Sequence, residues 1–135
     1  MEWKGQQLSR SMHEAVMRVV VRGSEAVKTR AVRSIMSGGK SGRVYMRGGV
    51  THQASAPGQP PASDTGRLVQ SARTEYNNDE LTGKVIFSTV YAAALEFGTE
   101  KMEARPYLRP AFLEQLPLIK EDLNKEMRSV LGRMG

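Results

Sequence analysis

The 135-residue chain contains no cysteine, and that single absence removes several chemistries at once. Without thiols there is no disulfide framework, no thiolate nucleophile and no cysteine zinc site. Imidazole is nearly as scarce. His13 and His52 are the two histidines, one expected on a helix and the other in a loop, a poor basis for a metal centre. One Trp and three Phe leave little material for stacking on nucleic-acid bases. Long apolar runs are missing too: no window approaches the ~18–20 consecutive apolar residues of a membrane-spanning helix, and the longest run in the first helical stretch is Val19-Val20-Val21. The opening Met-Glu-Trp-Lys-Gly-Gln-Gln lacks the basic start, apolar centre and small-residue cleavage site of a secretory signal, so synthesis and use in a cytoplasm are expected.

What remains has the composition of an ordinary globular protein, 39% hydrophobic and 25% charged, and the length of one domain spanning 1–135. The net charge of +6 is unevenly spread. Residues 1–73 carry 12 basic and 4 acidic groups, residues 74–135 carry 8 and 10. Such a split points to an anionic partner, to head-to-tail contact between copies of the chain, or simply to a solvated basic face.

Leu8, Met12, Ala15, Val16, Val19, Val20, Gly23, Val27, Ala31 and Ile35 recur at steps of three and four, the stripe of a long amphipathic helix. Ser11 with Glu14 fits a capping box, so the helix begins near residue 6 or near 12, and Ser37-Gly38-Gly39 ends it. At ~1.5 Å per residue it reaches about 40 Å, more than so small a core requires. Arg43–Arg47 and Val50–Gln53 flank a Gly48-Gly49 turn and predict a hairpin. Ala54–Ser63 then holds three of the six prolines and reads as an extended, exposed loop within about 37–64. Asp64 or Thr65 caps a short helix through Leu68, Val69 and Ala72. Two strands are expected at Thr74–Tyr76 and Gly83–Tyr91 around an Asn77-Asn78-Asp79 turn, then a short helix ending at Gly98. In the last helix Leu113, Leu116, Leu123, Met127, Val130 and Leu131 mark one face, and Pro117 predicts a kink or restart near Leu116. The order reads as α+β, an antiparallel sheet of about four strands packed against long N-terminal and C-terminal helices.

Candidate chemistry is weak. Asp64-Thr65-Gly66 matches the catalytic turn of aspartic proteases, yet Pro60-Pro61-Ala62-Ser63 stands where that turn needs an apolar strand, and helix capping accounts for it. Glu96, Glu100, Glu103 and Asp64 show no specific acid/base or metal spacing, and exposed carboxylates are the rule. Gly38-Gly39-Lys40-Ser41-Gly42 lacks the spacing of a phosphate loop and follows a helix instead of a strand. Arg10, Arg18, Arg22, Lys28, Arg30, Arg33, Lys40, Arg43 and Arg47 can track phosphates but do not gather on one helical face. The internal methionines are scattered and read as adaptable packing.

Three linked blocks carry more information: Ser55-Ala-Pro-Gly-Gln-Pro-Pro-Ala-Ser-Asp-Thr-Gly-Arg-Leu68, Tyr91-Ala-Ala-Ala-Leu-Glu-Phe-Gly-Thr99 and Lys101-Met-Glu-Ala-Arg-Pro-Tyr-Leu-Arg-Pro-Ala111. In this order, with a long helix before and after, the chain resembles the small tail-component proteins of long-tailed, lambda-like phages and prophages, the family of head-to-tail joining and tail completion. The resemblance implies a virion structural or assembly protein, not an enzyme. Its expected fold is compact and α+β, its expected assembly a sixfold ring at the head-proximal end of the tail, and its expected partners the tail tube and head connector. Assembly would take place in the cytoplasm of the bacterial host. The matching positions are Pro57, Gly58, Pro60, Pro61, Asp64, Thr65, Gly66 and Leu68, then Tyr91, Glu96, Gly98, Thr99, Ala104, Arg105, Pro106 and Pro110. The resemblance gives them no catalytic, cofactor or metal role and implies neither membrane nor small-molecule substrate.

A stiff Pro-rich loop loses less conformational entropy on docking than a Gly-Ser loop, which makes it a natural arm. Arg105 and Arg109 can form bidentate pairs with carboxylates such as Glu96 or Asp64, as intrachain braces or as subunit contacts. Together with positions that the resemblance supplies, the candidate interface residues are Pro57, Gly58, Pro60, Pro61, Asp64, Glu96, Gly98, Thr99, Arg105 and Arg109. In a ring, basic groups lining the lumen allow non-specific contact with passing DNA. The rival reading is a basic nucleic-acid-binding protein, resting on the pI near 9.9.

Overall fold

Within the first helix, Ala15, Val19, Gly23, Val27, Ala31 and Ile35 are all buried and all four residues apart. Each such step turns about 40° beyond a full revolution, so the buried row winds about 200° around the helix between its two ends. One long helix thereby serves two different neighbours. The structure is a computed structural model that describes residues 5–37, 44–47, 50–53, 66–89, 92–100 and 103–134. Its elements are α1 (Gly5–Ser37), β1 (Val44–Arg47), β2 (Val50–Gln53), α2 (Arg67–Gln70), β3 (Ala72–Asn77), β4 (Thr82–Phe87), α3 (Ala92–Phe97) and α4 (Leu108–Met134). The fold is α+β, with antiparallel strand pairs and long helices at both ends. The strands form two separate two-stranded sheets, β1–β2 and β3–β4, where one sheet of about four was expected.

α1 and α4 run antiparallel. Arg18 pairs with Glu126 (3.1 Å), Arg22 with Asp122 (2.9 Å) and Glu126 (2.6 Å), and Arg30 with Glu114 (2.8 Å), so each step along α1 matches a step back along α4. The ladder flanks a close approach at Gly23, where an added Cβ would lie 3.0 Å from Ile119 Cγ1. Half-exposed ion pairs of this kind contribute only ~0–1 kcal/mol each. Their larger effect is to set the register of the two helices.

The C-terminal half of α1 lies on the main core, where Val27, Ala31 and Ile35 meet Leu68, Phe87, Ala92, Tyr107 and Ala111. Phe87 and Tyr107 pack edge to face with ring centroids 4.9 Å apart, and the Tyr107 hydroxyl donates to the Ala92 carbonyl at 3.3 Å. β3 pairs with β4 from Ala72↔Phe87 to Asn77↔Thr82. The Asn77 side chain closes their turn by accepting from the Asp79 and Glu80 amides at 3.0 and 2.9 Å, and Leu81 completes it at φ 56°. The hairpin leans on α1 through Glu25, which accepts from Thr74 Oγ1 (2.8 Å) and Tyr76 OH (2.9 Å) and lies 3.1 Å from Lys28 Nζ. It also leans through Gly83, where an added Cβ would meet Val20 Cγ1 at 2.9 Å and press on Ser24 Oγ.

Several expectations are corrected. α1 begins at Gly5, so Ser11 and Glu14 lie within the helix and form no capping box at its start. The short helix α2 has Gly66 at φ 57° as its N-cap residue, the expected capping residues Asp64 and Thr65 lie outside the described residues, and Ala72 belongs to β3. Glycine accepts this left-handed entry, which a residue with a Cβ resists. β4 stops at Phe87 instead of reaching Tyr91. α4 runs unbroken through Pro117, so no restart occurs at Leu116. Pro117 frees the Leu113 carbonyl from its helical bond, and both residues are exposed, so water can satisfy it. Leu113 and Leu131 are 54% and 56% exposed and do not belong to the buried face, which runs through Ala111 and Val130. The Pro-rich loop and its residues Pro57, Gly58, Pro60, Pro61 and Asp64 lie outside the described residues. Among the described residues no helix is long and apolar enough to cross a membrane.

Two consequences are measurable. Gly83→Val forces a side chain against Val20 and Ser24 and is expected to cost ~1–3 kcal/mol, read as a lowered urea midpoint. The second concerns acid. Hydrogen bonds from Thr74, with those from Lys28 and Tyr76, hold the Glu25 carboxyl below its ordinary 4.5, and those from Arg22 and Arg18 do the same for Glu126. Both groups are more acidic folded than unfolded, so the stability they contribute is complete above about pH 4.5 and lost as pH falls through the folded values. Glu25→Gln combined with Glu126→Gln is expected to lower stability at about pH 7 and flatten its decline below about pH 4.5.

Candidate functional site

The stretch from Leu95 to Pro110 turns a sharp corner, and backbone hydrogen bonding explains why. α3 ends where Gly98, at φ 76°, donates its N–H to Ala94 O at 2.8 Å, the left-handed exit that glycine provides. The chain comes back alongside, and the Arg105 amide donates to Leu95 O at 2.6 Å. α4 then starts directly over Glu96. Its carboxylate accepts from the backbone N–H groups of Tyr107 (2.9 Å), Leu108 (3.0 Å) and Arg109 (2.7 Å). These amides belong to the first turn, which has no intrahelical acceptors, and the negative charge also favours the positive end of the helix dipole. Pro110 follows in the same turn, where its missing N–H costs nothing.

This corner revises the expected role of Glu96. Its oxygens are filled by backbone donors, so the anticipated bidentate pairing with Arg105 or Arg109 is replaced by a cap. Arg109 takes part through its amide, and its guanidinium remains at the exposed surface. Arg105 is half-buried, with Nε lacking a hydrogen-bond partner among the described residues. Thr99 is exposed just past the Gly98 turn.

The corner stands at one end of an open apolar groove of about 530 Å³. Val19, Val20 and Val27 of α1 form one wall and Val85 of β4 contributes a second. Phe97 of α3 and Leu108, Phe112 and Ile119 of α4 close the far side, with Glu96 and Arg109 at the lip. Phe97 is 79% exposed and Phe112 46%. Two of the three phenylalanines in the chain thus face solvent, while the third, Phe87, is buried. Large aromatic rings held open beside an apolar groove are the surface type that marks a docking site.

The structure therefore brings Glu96 and Arg109 together at the groove lip and places Gly98 and Arg105 in the corner that supports it. Phe97 and Phe112 escaped the sequence reading. Their signal was slight: two Phe within sixteen residues of a chain otherwise poor in aromatics. Among the described residues no cluster of three or more His, Asp or Glu is arranged to hold a metal ion. Comparison of the chain with protein-family models, curated proteins and solved structures gives no match.

Glu96→Ala removes the acceptor for three amides at once. It is expected to cost ~1–3 kcal/mol, with faster amide hydrogen exchange at Tyr107, Leu108 and Arg109. Glu96→Gln retains one acceptor oxygen and should fall between the two.

Proposed function

We propose that this chain is a bacteriophage head–tail junction protein, a tail-completion or neck component that works by ring oligomerisation and by contact with the tail tube and head connector. The observation that carries the reading is the resemblance of the three linked blocks, Ser55–Leu68, Tyr91–Thr99 and Lys101–Ala111, to small tail-component proteins. The groove beside Phe97 and Phe112 adds physical support. A closed ring of identical copies uses a heterologous contact, in which one patch meets a different patch on the next subunit, and a monomer that keeps aromatic rings in water has such a patch to offer.

On this reading residues 1–135 form one domain, the two hairpins supply its four strands, and the Pro-rich loop within about 37–64 is an exposed docking arm. The site is the virion, and assembly takes place in the host bacterial cytoplasm. No reaction, cofactor or small-molecule substrate is assigned. Charge favours assembly over the rival nucleic-acid-binding role, because Arg18, Arg22, Lys28 and Arg30 are held in ion pairs with Glu126, Asp122, Glu25 and Glu114. The remaining cations allow non-specific contact with DNA in the lumen.

The test is assembly. A phage deleted for this gene is expected to accumulate separate heads and tails, and joined, infectious particles in its absence would overturn the reading. Light scattering of purified protein with its tail-tube partner should show an added mass of about 90 kDa, six copies of 14.9 kDa. For the nucleic-acid rival, a log–log salt slope near zero in a DNA titration removes it, since phosphate neutralisation releases counterions.

A further inference from the structure

We propose that the groove between α1, β4 and the start of α4 receives the Pro57–Pro61 segment of a second copy of this chain. The choice of a second copy rests on the assembly reading above. The fit of segment to groove rests on separate chemistry.

Pro57-Gly58-Gln59-Pro60 has the P-x-x-P spacing, and Pro61 extends it. Proline fixes φ near the polyproline value and removes a donor. Such segments are recognised by aromatic-lined apolar grooves, where ring faces stack against pyrrolidine rings and little ordering entropy is lost. The groove has the matching features: Phe97 and Phe112 exposed on one side and Val20 and Val85 opposite. Its lip carries Glu96, whose oxygens are taken up by three backbone amides, and the exposed Arg109, which is left to meet Asp64, the one charged residue between Ala54 and Thr65.

The segment's C-terminal end is anchored, because Gly66 caps α2 and Leu68 of α2 is buried in the core. Residues 54–65 join β2 to Gly66, and their twelve residues have an extended length of roughly 37 Å at ~3.1 Å per residue. Arm and groove are unlike patches on one chain. Repeated from copy to copy, that pairing is the heterologous contact a ring requires.

The test begins with a fluorescein-labelled synthetic peptide of the residue 54–65 sequence. It is titrated into full-length protein carrying Pro57→Ala, Pro60→Ala and Pro61→Ala, so that the protein's own segment does not compete. Saturable binding is expected, weakened at least tenfold when Phe97→Ser and Phe112→Ser are added, with an unchanged thermal midpoint as the folding control. Phe97→Ser alone, at the more exposed ring, is expected to weaken binding in the same direction. No binding, or equal binding without the aromatic rings, overturns the proposal.

The occupant is then assigned by mixing. The triple-Pro variant keeps the groove and the Phe97→Ser/Phe112→Ser variant keeps the arm, so each is expected to stay at 14.9 kDa alone and to pair in a mixture at about 30 kDa. A mixture that stays monomeric assigns the groove to the chain's own segment or to another partner and overturns the second-copy proposal. Failure in these titrations leaves head–tail joining by the gene product intact. Conversely, joining that persists without the gene overturns the assembly reading while the peptide result stands.

Discussion

The antiparallel contact between α1 and α4 is the constraint on which the other features depend. The two helices come close at Gly23, where the absence of a side chain lets Ile119 of α4 come against the α1 backbone. On either side of that point the ion pairs from Arg18 to Glu126 and from Arg30 to Glu114 fix which turn of one helix meets which turn of the other. Individually these pairs add little energy. Together they exclude slipped registers, because a displacement by one turn leaves Arg22 away from Asp122 and Glu126. Register, in turn, sets which part of α4 faces the groove residues of α1, and so brings Phe112 to the groove.

The second determinant is Glu96. A carboxylate on a six-residue helix satisfies three amides of a twenty-seven-residue helix, which fixes where α4 starts and the direction in which it leaves. Tyr107 is drawn into the core by the same corner, against Phe87. With Glu96 occupied as a cap and Tyr107 as core, both residues serve the architecture of this corner. Its outward product is the aromatic lip. Phe97 is exposed as the last residue of α3 before Gly98 turns the chain away, and among the described residues no element covers the ring.

Much of the architecture was legible from pattern alone. The three- and four-residue spacing of Leu8 to Ile35, the Gly48-Gly49 hairpin and the β-branched run after Gly83 all correspond to observed elements, since each depends on local backbone preference and side-chain period. The errors have physical causes. Pro117 reads locally as a break, but it sits on the solvent side of a helix secured at other turns, and Leu113 and Leu131 look like core although the buried face of α4 is rotated away from them. The uneven charge of the two halves suggested an external partner. Across α1 and α4 much of it is answered within the chain.

The sequence by itself determined where helices and strands form, because those preferences act over a few neighbouring residues. It also determined that cysteine chemistry has no place in this protein. Only the tertiary structure decided what the motif residues do. Glu96 and Tyr107 are eleven residues apart, and Arg22 and Asp122 a hundred. No periodicity or propensity reports contacts at such separations. Whether a carboxylate caps a helix, pairs with an arginine or waits for a partner, and whether a phenylalanine fills the core or lines a groove, depends on which surfaces the fold brings together and which it leaves uncovered.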